Sequence, residues 1–205
     1  MAKWQTQLTQ NQPGLKPRVG SSPTFGRLLY GGRRMADDEV FRSLLTRIDQ
    51  WLAQNRPDYY AKLQKGVSND QLDQFENRFN FKLPDTFKLL YSWRNGQEES
   101  CSASFVGNRM FMSLGSIAST KEMLDGMIGE DFEDPEHWKE QWVPFLENGG
   151  GDYLCIDLGS GNQGTAGQLV EFWHADKDRK TVYPSLKDWA QQLQSSMESG
   201  AYKVF

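Results

Sequence analysis

The segment from Lys82 to Gly96 carries its own start and stop signals for a helix. Pro84 stands where a proline is tolerated in the first helical turn, and Phe87 begins a set of apolar residues on one face. Asn95 and Gly96 follow, and this pair favours the left-handed conformation that ends a helix. The sequence therefore predicts a helix between Pro84 and Asn95.

A second run, residues 148–158, has the pattern of a tight glycine turn that leads into a strand. Three consecutive glycines precede Asp152, and the apolar residues that follow end near Asp157. Short apolar runs bounded by turn residues are typical of buried strands. Neither this run nor the first contains a recognisable nucleophile, base or metal cluster.

The order of the predicted elements indicates the fold class. Helical spacing and capping signals predict helices at about 37–54, after the capping box 68–71, at 84–95, at 117–127 and from 184–185 onwards. The predicted strands are 104–106, 110–113, 142–146, 153–158 and 168–174. Because helices come first, strands follow and a helix closes the chain, we expect an α+β fold with a single, mostly antiparallel sheet flanked by helices.

Length and composition exclude several classes of protein. A chain of 205 residues can form one domain with a full core, and no apolar run is long enough to cross a membrane. The N-terminus lacks the apolar stretch of a signal peptide. Cys101 and Cys155 match no metal spacing, so we expect reduced thiols in a cytoplasmic protein without metal or cofactor.

The charge is unevenly distributed along the chain. Of 23 basic and 27 acidic residues, six basic and no acidic residues lie within 1–34, so the remainder carries 17 basic and 27 acidic groups. We expect residues 1–34 to be a disordered basic lead or a mis-assigned start before Met35, and 35–205 to be one domain. The acidic body predicts repulsion from nucleic acid and anionic membranes and attraction to basic partners, although acidity for solubility alone is an alternative.

Five of these acidic residues are concentrated in one predicted loop, Glu130, Asp131, Glu133, Asp134 and Glu136. The loop lacks the ligand order and central glycine of a calcium loop. It is either a solvated loop or a contact surface for a basic protein.

Three possible catalytic patterns have simpler structural interpretations. The G-x-G-x-x-G at 159–164 precedes a strand-like pattern, so we expect a hairpin loop and no dinucleotide site. A pair formed by Cys155 and His174 is conceivable, but Cys155 lies in an apolar run and is expected in the core. Asp152 and Asp157 could be an acid and a base of a hydrolase that also uses His174, or a turn residue and a strand-end residue.

The ordered set of patterns from about residue 38 to 195 resembles the SUKH superfamily, whose founding member is a yeast regulator of cell-wall assembly. The resemblance is carried by the capped helix after residue 67, the two runs described above, a strand that ends at His174 and a terminal helix from Ser185. The positions that match the family pattern as structural residues are Leu83, Pro84, Phe87, Asn95, Gly96, Gly151, Asp152 and Asp157.

The resemblance implies a domain that binds proteins and does not catalyse a reaction. In bacteria such domains are mostly immunity proteins that neutralise a cognate toxin, often a nuclease. The acidic body fits this role, because a negative surface is attracted to the cationic groove of a nucleic-acid enzyme. The alternatives are a regulatory scaffold that binds other client proteins and, third, the hydrolase using Asp152, Asp157 and His174.

Overall fold

The computed structural model of the chain describes residues 23–132, 134–159 and 166–205, with only the helical backbone over 23–34. Within these ranges the chain forms six helices and seven strands, and the predicted α+β class is confirmed. The helices are α1 (Pro23–Asn55), α2 (Pro57–Tyr60), α3 (Asn69–Phe79), α4 (Asp85–Trp93), α5 (Leu114–Gly126) and α6 (Leu186–Ser199). The strands are β1 (Leu63–Lys65), β2 (Arg94–Gln97), β3 (Met110–Phe111), β4 (Trp142–Glu147), β5 (Tyr153–Asp157), β6 (Leu169–Phe172) and β7 (Thr181–Tyr183).

Strands β3 to β7 form one antiparallel sheet in sequence order, as the run of predicted strands suggested. The longest pairing joins β4 to β5, from Trp142 opposite Asp157 to Glu147 opposite Tyr153. A separate antiparallel ribbon pairs β1 with β2. Neither strand of this ribbon is among the predicted strands.

The register divides the sheet into two faces. Leu154 and Phe111 share one face, where Phe111 packs against Tyr91 of α4 with ring centroids 5.5 Å apart. Tyr153 and Phe172 share the other face, with centroids 6.0 Å apart. Helices α1, α4 and α6 cover the first face, and α5 with the segment that follows it covers the second.

The two long helices bury the residues that their spacing predicts. The buried residues of α1 are Phe41, Leu44, Leu45, Ile48 and Leu52. In α6 they include Leu186, Trp189, Ala190, Leu193 and Met197. Val40 has the same helical spacing but is exposed. Helix α1 begins at Pro23, inside the predicted basic lead; residues 1–22 lie outside the described ranges, and the domain boundary at residue 34 stays a prediction.

The predicted capping box begins α3. Gln71 N donates to Ser68 Oγ at 3.3 Å, and Ser68 N donates to Gln71 Oε1 at 2.9 Å. The helix ends at Asn80, whose φ of 52° is the left-handed conformation. The start of a helix leaves four backbone N–H groups without a partner inside the helix, and this reciprocal arrangement satisfies two of them.

A buried carboxylate connects α3 to the start of α4. Glu76 is 1% exposed, and its oxygens accept hydrogen bonds from Leu83 N at 2.8 Å and Lys82 Nζ at 2.7 Å. Lys88 Nζ lies 2.6 Å from the same carboxylate. Burial alone would raise the pKa of Glu76, but these donors outweigh it and lower the pKa to about 2.

The prediction that Asn95 and Gly96 end the helix is wrong. Helix α4 ends at Trp93, and both residues lie in β2. Asn95 Oδ1 instead accepts a hydrogen bond from Leu114 N at 2.8 Å, at the start of α5. Gly96 has a φ of 69°, and a Cβ there would overlap the Met112 carbonyl. The pair therefore joins β2 to the start of α5.

Two further local predictions differ from the structure. Helix α5 begins after Ser113, whose Oγ accepts from Ser116 N at 3.0 Å, and not near residue 117. Residues 104–106 do not form a hairpin strand with 110–113. Val106 and Arg109 form an isolated bridge, and β3 pairs with β4.

Substitution of Gly96 tests the close approach of β2 to Met112. We expect Gly96→Ala to lower the unfolding free energy by about 3 kcal/mol or more, because the methyl group combines positive φ with backbone overlap. Gly107→Ala is the matched control: its φ is 59° but its Cβ would meet nothing within 4 Å, so about 1 kcal/mol is expected. If urea unfolding gave the same loss of unfolding free energy for both variants, the role of Gly96 would be contradicted.

The Glu76 cluster predicts a pH-dependent contribution to stability. Because the pKa of Glu76 is about 2 in the folded state and 4.5 for an unperturbed glutamate, the contribution is present above pH 4.5 and is lost as the pH falls towards 2. The difference in unfolding free energy between wild type and Glu76→Gln should shrink by roughly 1 to 2 kcal/mol from pH 6 to pH 3. Glu122→Gln, at an exposed pair with Arg78, should show no such change.

Candidate functional site

The acidic segment, defined as residues 130–136, follows α5 on the second face of the sheet. Four of its carboxylates are exposed, namely Glu130, Asp131, Asp134 and Glu136. Glu133 lies outside the described residues. Glu130 and Asp131 lie within a tight turn, since Phe132 N donates to Met127 O at 2.9 Å and Gly129 N donates to Phe132 O at 3.1 Å. These two carboxylates therefore project from a defined turn.

Aromatic contacts hold both ends of the segment on the sheet. The ring of Phe132 lies 4.4 Å from that of His137, which meets Phe172 of β6 edge-on at 5.7 Å. Trp138 is 2% exposed and packs edge-on against Trp142 and Phe172, at 5.7 and 5.3 Å. Burial of such large rings stabilises the position of the segment.

Arg179 ties the segment to the turn between β6 and β7. Its Nε donates to His137 O at 2.9 Å, and its Nη2 lies 3.3 Å from His137 Nδ1. The guanidinium also stacks over Phe172 at 4.6 Å. Burial, and then the charge of Arg179, lower the pKa of His137, so its imidazole is neutral at pH 7 and can accept this hydrogen bond.

A buried lysine supports the other side of the segment. Lys121 of α5 is 1% exposed, and its Nζ lies 2.8 Å from Asp125 and donates to Glu140 O. Asp125 Oδ1 also accepts from Trp138 Nε1 at 2.8 Å. This cluster was not predicted, although Lys121 and Asp125 have the i, i+4 spacing of a helical ion pair. No sequence pattern near Arg179 or His137 indicates that the two residues are in contact.

The second sequence run brings Asp152 and His174 together. Asp152 Oδ1 accepts from His174 N at 2.9 Å and lies 2.8 Å from His174 Nδ1. Asn148 Nδ2 donates to Asp152 Oδ2 at 2.7 Å. Burial would raise the pKa of Asp152, but the hydrogen bonds of His174 and Asn148 lower it. Gly151, with a φ of 91°, permits the turn beside the imidazole.

Asp157, the third residue of the suggested hydrolase site, does not lie beside Asp152 and His174. Asp157 lies at the other end of β5, about 16 Å along the strand from Asp152. Its oxygens accept from Gly159 N at 2.9 Å and Gln168 Nε2 at 3.2 Å, which secures the start of the following loop. Such bonds are those of a strand-end residue. Asp152, Asp157 and His174 therefore do not converge on one reacting atom.

Cys155 occupies the core, as its apolar neighbours predict. It is fully buried, and burial raises the pKa of its thiol, which keeps it protonated. No hydrogen bond between described residues links Cys155 to His174. A thiol of this kind is a small apolar core residue and not an activated nucleophile.

Other predicted patterns give no site among the described residues. The described part of the chain contains no group of three or more His, Cys, Asp or Glu placed to hold a metal ion. None of its helices has the length and apolar character needed to cross a membrane. Of the G-x-G-x-x-G at 159–164, residues 160–164 lie outside the described ranges, and the strand β6 follows it as predicted.

The chain matches the SMI1 / KNR4 family (SUKH-1) over residues 66–192, a range that contains the acidic segment and both sequence runs. It is 20% identical over 193 residues to a glucan synthesis regulatory protein of Neurospora crassa, covering 72% of this chain and 36% of that protein. It is also 20% identical over 208 residues to the cell wall assembly regulator SMI1 of Saccharomyces cerevisiae, covering 78% and 41%.

A more local similarity joins the chain to the F-box protein SKIP16 of Arabidopsis thaliana. The two are 45% identical over 70 residues, which cover 34% of this chain and 15% of that protein. The chain thus spans less than half the length of the curated relatives it matches.

Removing the Arg179 guanidinium should loosen the acidic segment without unfolding the protein. In Arg179→Met the apolar stem over Phe172 is largely kept, but the bonds to His137 are lost. We expect amide hydrogen exchange at Phe132 and His137 to become about tenfold faster. Lys177→Met, at an exposed position of the same turn, should leave these rates unchanged. Unchanged rates in Arg179→Met would show that aromatic packing alone holds the segment.

Proposed function

Since this chain belongs to the SMI1 / KNR4 (SUKH-1) family, we propose that it acts by binding another protein and catalyses no reaction. In its most specific form, the proposal is that it is an immunity protein that neutralises a cognate basic toxin, such as a nuclease, in the cytoplasm. The contact surface is the acidic segment.

The observation that carries the proposal is the combination of exposed charge and firm anchoring. The carboxylates of Glu130, Asp131 and Asp134 face solvent, and that of Glu136 is exposed but lies 2.7 Å from Lys139 Nζ, while the backbone on both sides is held by Trp138 and Arg179. A solvated acidic loop needs no such anchoring. A surface held in place before binding loses little conformational entropy when a partner docks, so its interactions contribute more to affinity.

Charge supports the same kind of partner. Outside residues 1–34 the chain has 17 basic against 27 acidic residues, and such a surface attracts a cationic partner over long range. Electrostatic attraction increases the association rate above all, which suits an inhibitor that must act before its target does damage. The same charge disfavours nucleic acid as a direct ligand.

The second candidate is a regulatory domain that binds client proteins. Two relatives carry names that describe regulation, of glucan synthesis and of cell-wall assembly. Both candidates share non-catalytic protein binding, and they differ in whether the partner is a toxin. The hydrolase hypothesis has less support, because Asp157 lies apart from Asp152 and His174.

Co-expression with the product of the neighbouring gene separates the candidates. If that gene encodes a protein with a toxic C-terminal domain, we expect the wild-type chain to restore growth and to bind the toxin. Neutralising Glu130, Asp131, Asp134 and Glu136 to the amides should weaken this binding by at least about tenfold, since four attractive charges are removed.

A matched control keeps the net charge equal. Glu39, Asp58, Asp70 and Asp73 are exposed on α1, α2 and α3, and their amide variants should bind the toxin as well as wild type does. Toxicity that the wild-type chain does not relieve would contradict the immunity role, and stable capture of a non-toxic protein would favour the regulator. Equal weakening by both quadruple variants would contradict the assignment of the contact surface.

A further inference from the structure

A cleft of about 210 Å³ lies between β2 and the corner where β3 leads into α5. Residues from both sides line it, among them Glu98, Met110, Met112, Ser113, Ser116 and Glu147. Pockets for drug-sized ligands are usually larger, about 300 to 1,000 Å³. The size of this cleft therefore suits a single long side chain.

Glu147 is the partly buried carboxylate of this cleft that lacks a counterpart, whereas Glu99 at its rim is exposed. Glu147 is the last residue of β4, and among the described residues no donor hydrogen-bonds to its carboxylate and no cation pairs with it. Its side chain is half-buried, and burial raises the pKa of the carboxyl group. Partly buried carboxylates are normally paired, as Glu76 and Asp152 are in this protein. A positive group in the cleft would remove this cost.

The rest of the cleft resembles the surroundings of a basic side chain. Met110 and Met112 provide flexible apolar walls, which suit the methylene stem of lysine or arginine. Glu98 at the cleft already pairs with Lys62 at 3.2 Å, so this lysine is engaged there. Ser113 and Ser116 hydrogen-bond to each other at 2.8 Å and add polar oxygens to the lining.

We propose that this cleft receives one arginine or lysine side chain of the basic protein partner, with the Glu147 carboxylate at the charged group and the methionines along the stem. This rests on the proposed function for the identity of the partner, and it adds a second contact point to the acidic segment.

The position of the cleft fits one continuous contact face. Helix α5 begins beside the cleft at Ser113 and ends at Gly126, shortly before the acidic segment. Strand β4 runs from Trp142 near the segment to Glu147 at the cleft, a separation of about 17 Å. Between the two contact points α5 exposes Gly115, Ser119 and Met123, and also Glu122, which pairs with Arg78. A partner surface of ordinary size, about 800 Å², spans both points.

A peptide titration tests the cleft without the protein partner. The ¹⁵N-labelled chain is titrated with acetyl-Gly-Arg-Gly-amide and, separately, with the same tripeptide containing citrulline, which is isosteric and uncharged. We expect saturable NMR shifts of the Met112, Ser113 and Glu147 amides with the arginine peptide alone. Glu147→Gln should weaken this binding about fivefold or more, because a charge-assisted hydrogen bond becomes a neutral one.

Glu39→Gln is the control, since Glu39 is exposed on α1 and does not line the cleft, and it should change the affinity less than twofold. Equal shifts with both peptides, unchanged affinity in Glu147→Gln, or the same shifts with calcium chloride alone would each overturn the proposal. None of these outcomes depends on the toxin assay. If no toxin is found, the peptide titration still tests the cleft. If the peptide does not bind the cleft, the amide variants of the acidic segment still test the contact surface.

Discussion

The close approach of Gly96 to the backbone of Met112 is the contact on which the arrangement of the other elements depends. Because no Cβ fits between them, β2 lies directly against the segment that enters α5. Asn95 caps the start of that helix, and Gln97 Oε1 accepts from Phe111 N at 3.0 Å. The helical half of the domain is thereby fixed to the edge of the sheet. The direction in which α5 crosses the sheet follows from this junction.

The direction of α5 across the sheet decides which residues share the face proposed to bind a partner. Helix α5 starts beside Glu147 and carries the chain to the acidic segment, so one rigid element connects both proposed contact points. Lys121 Nζ donates to Glu140 O and so fixes α5 to the backbone just before β4. The charged groups are therefore held by packing and by buried hydrogen bonds, and a partner does not have to order them.

Local patterns predicted most of the elements but not their roles. The apolar spacing of α1 and α6 and the capping box of Ser68 act within a few residues, and the structure confirms them. Gly96 has the positive φ that was predicted for it whereas Asn95 does not, and a preference for positive φ does not specify which elements a residue joins. Arg179 and His137 are 42 residues apart, and nothing near either residue indicates the other.

The amino-acid sequence by itself determined the α+β order of elements, the family and the acidic character of the body, because hydrophobic spacing, turn residues and net charge are properties of the chain. Only the tertiary structure decided which carboxylates are neutralised and which are open. Glu76 meets two lysines and Asp152 meets His174, whereas Glu147 faces a cleft. The reason is physical: the energy of a charge depends on the groups and the water around it, and packing alone brings those groups together.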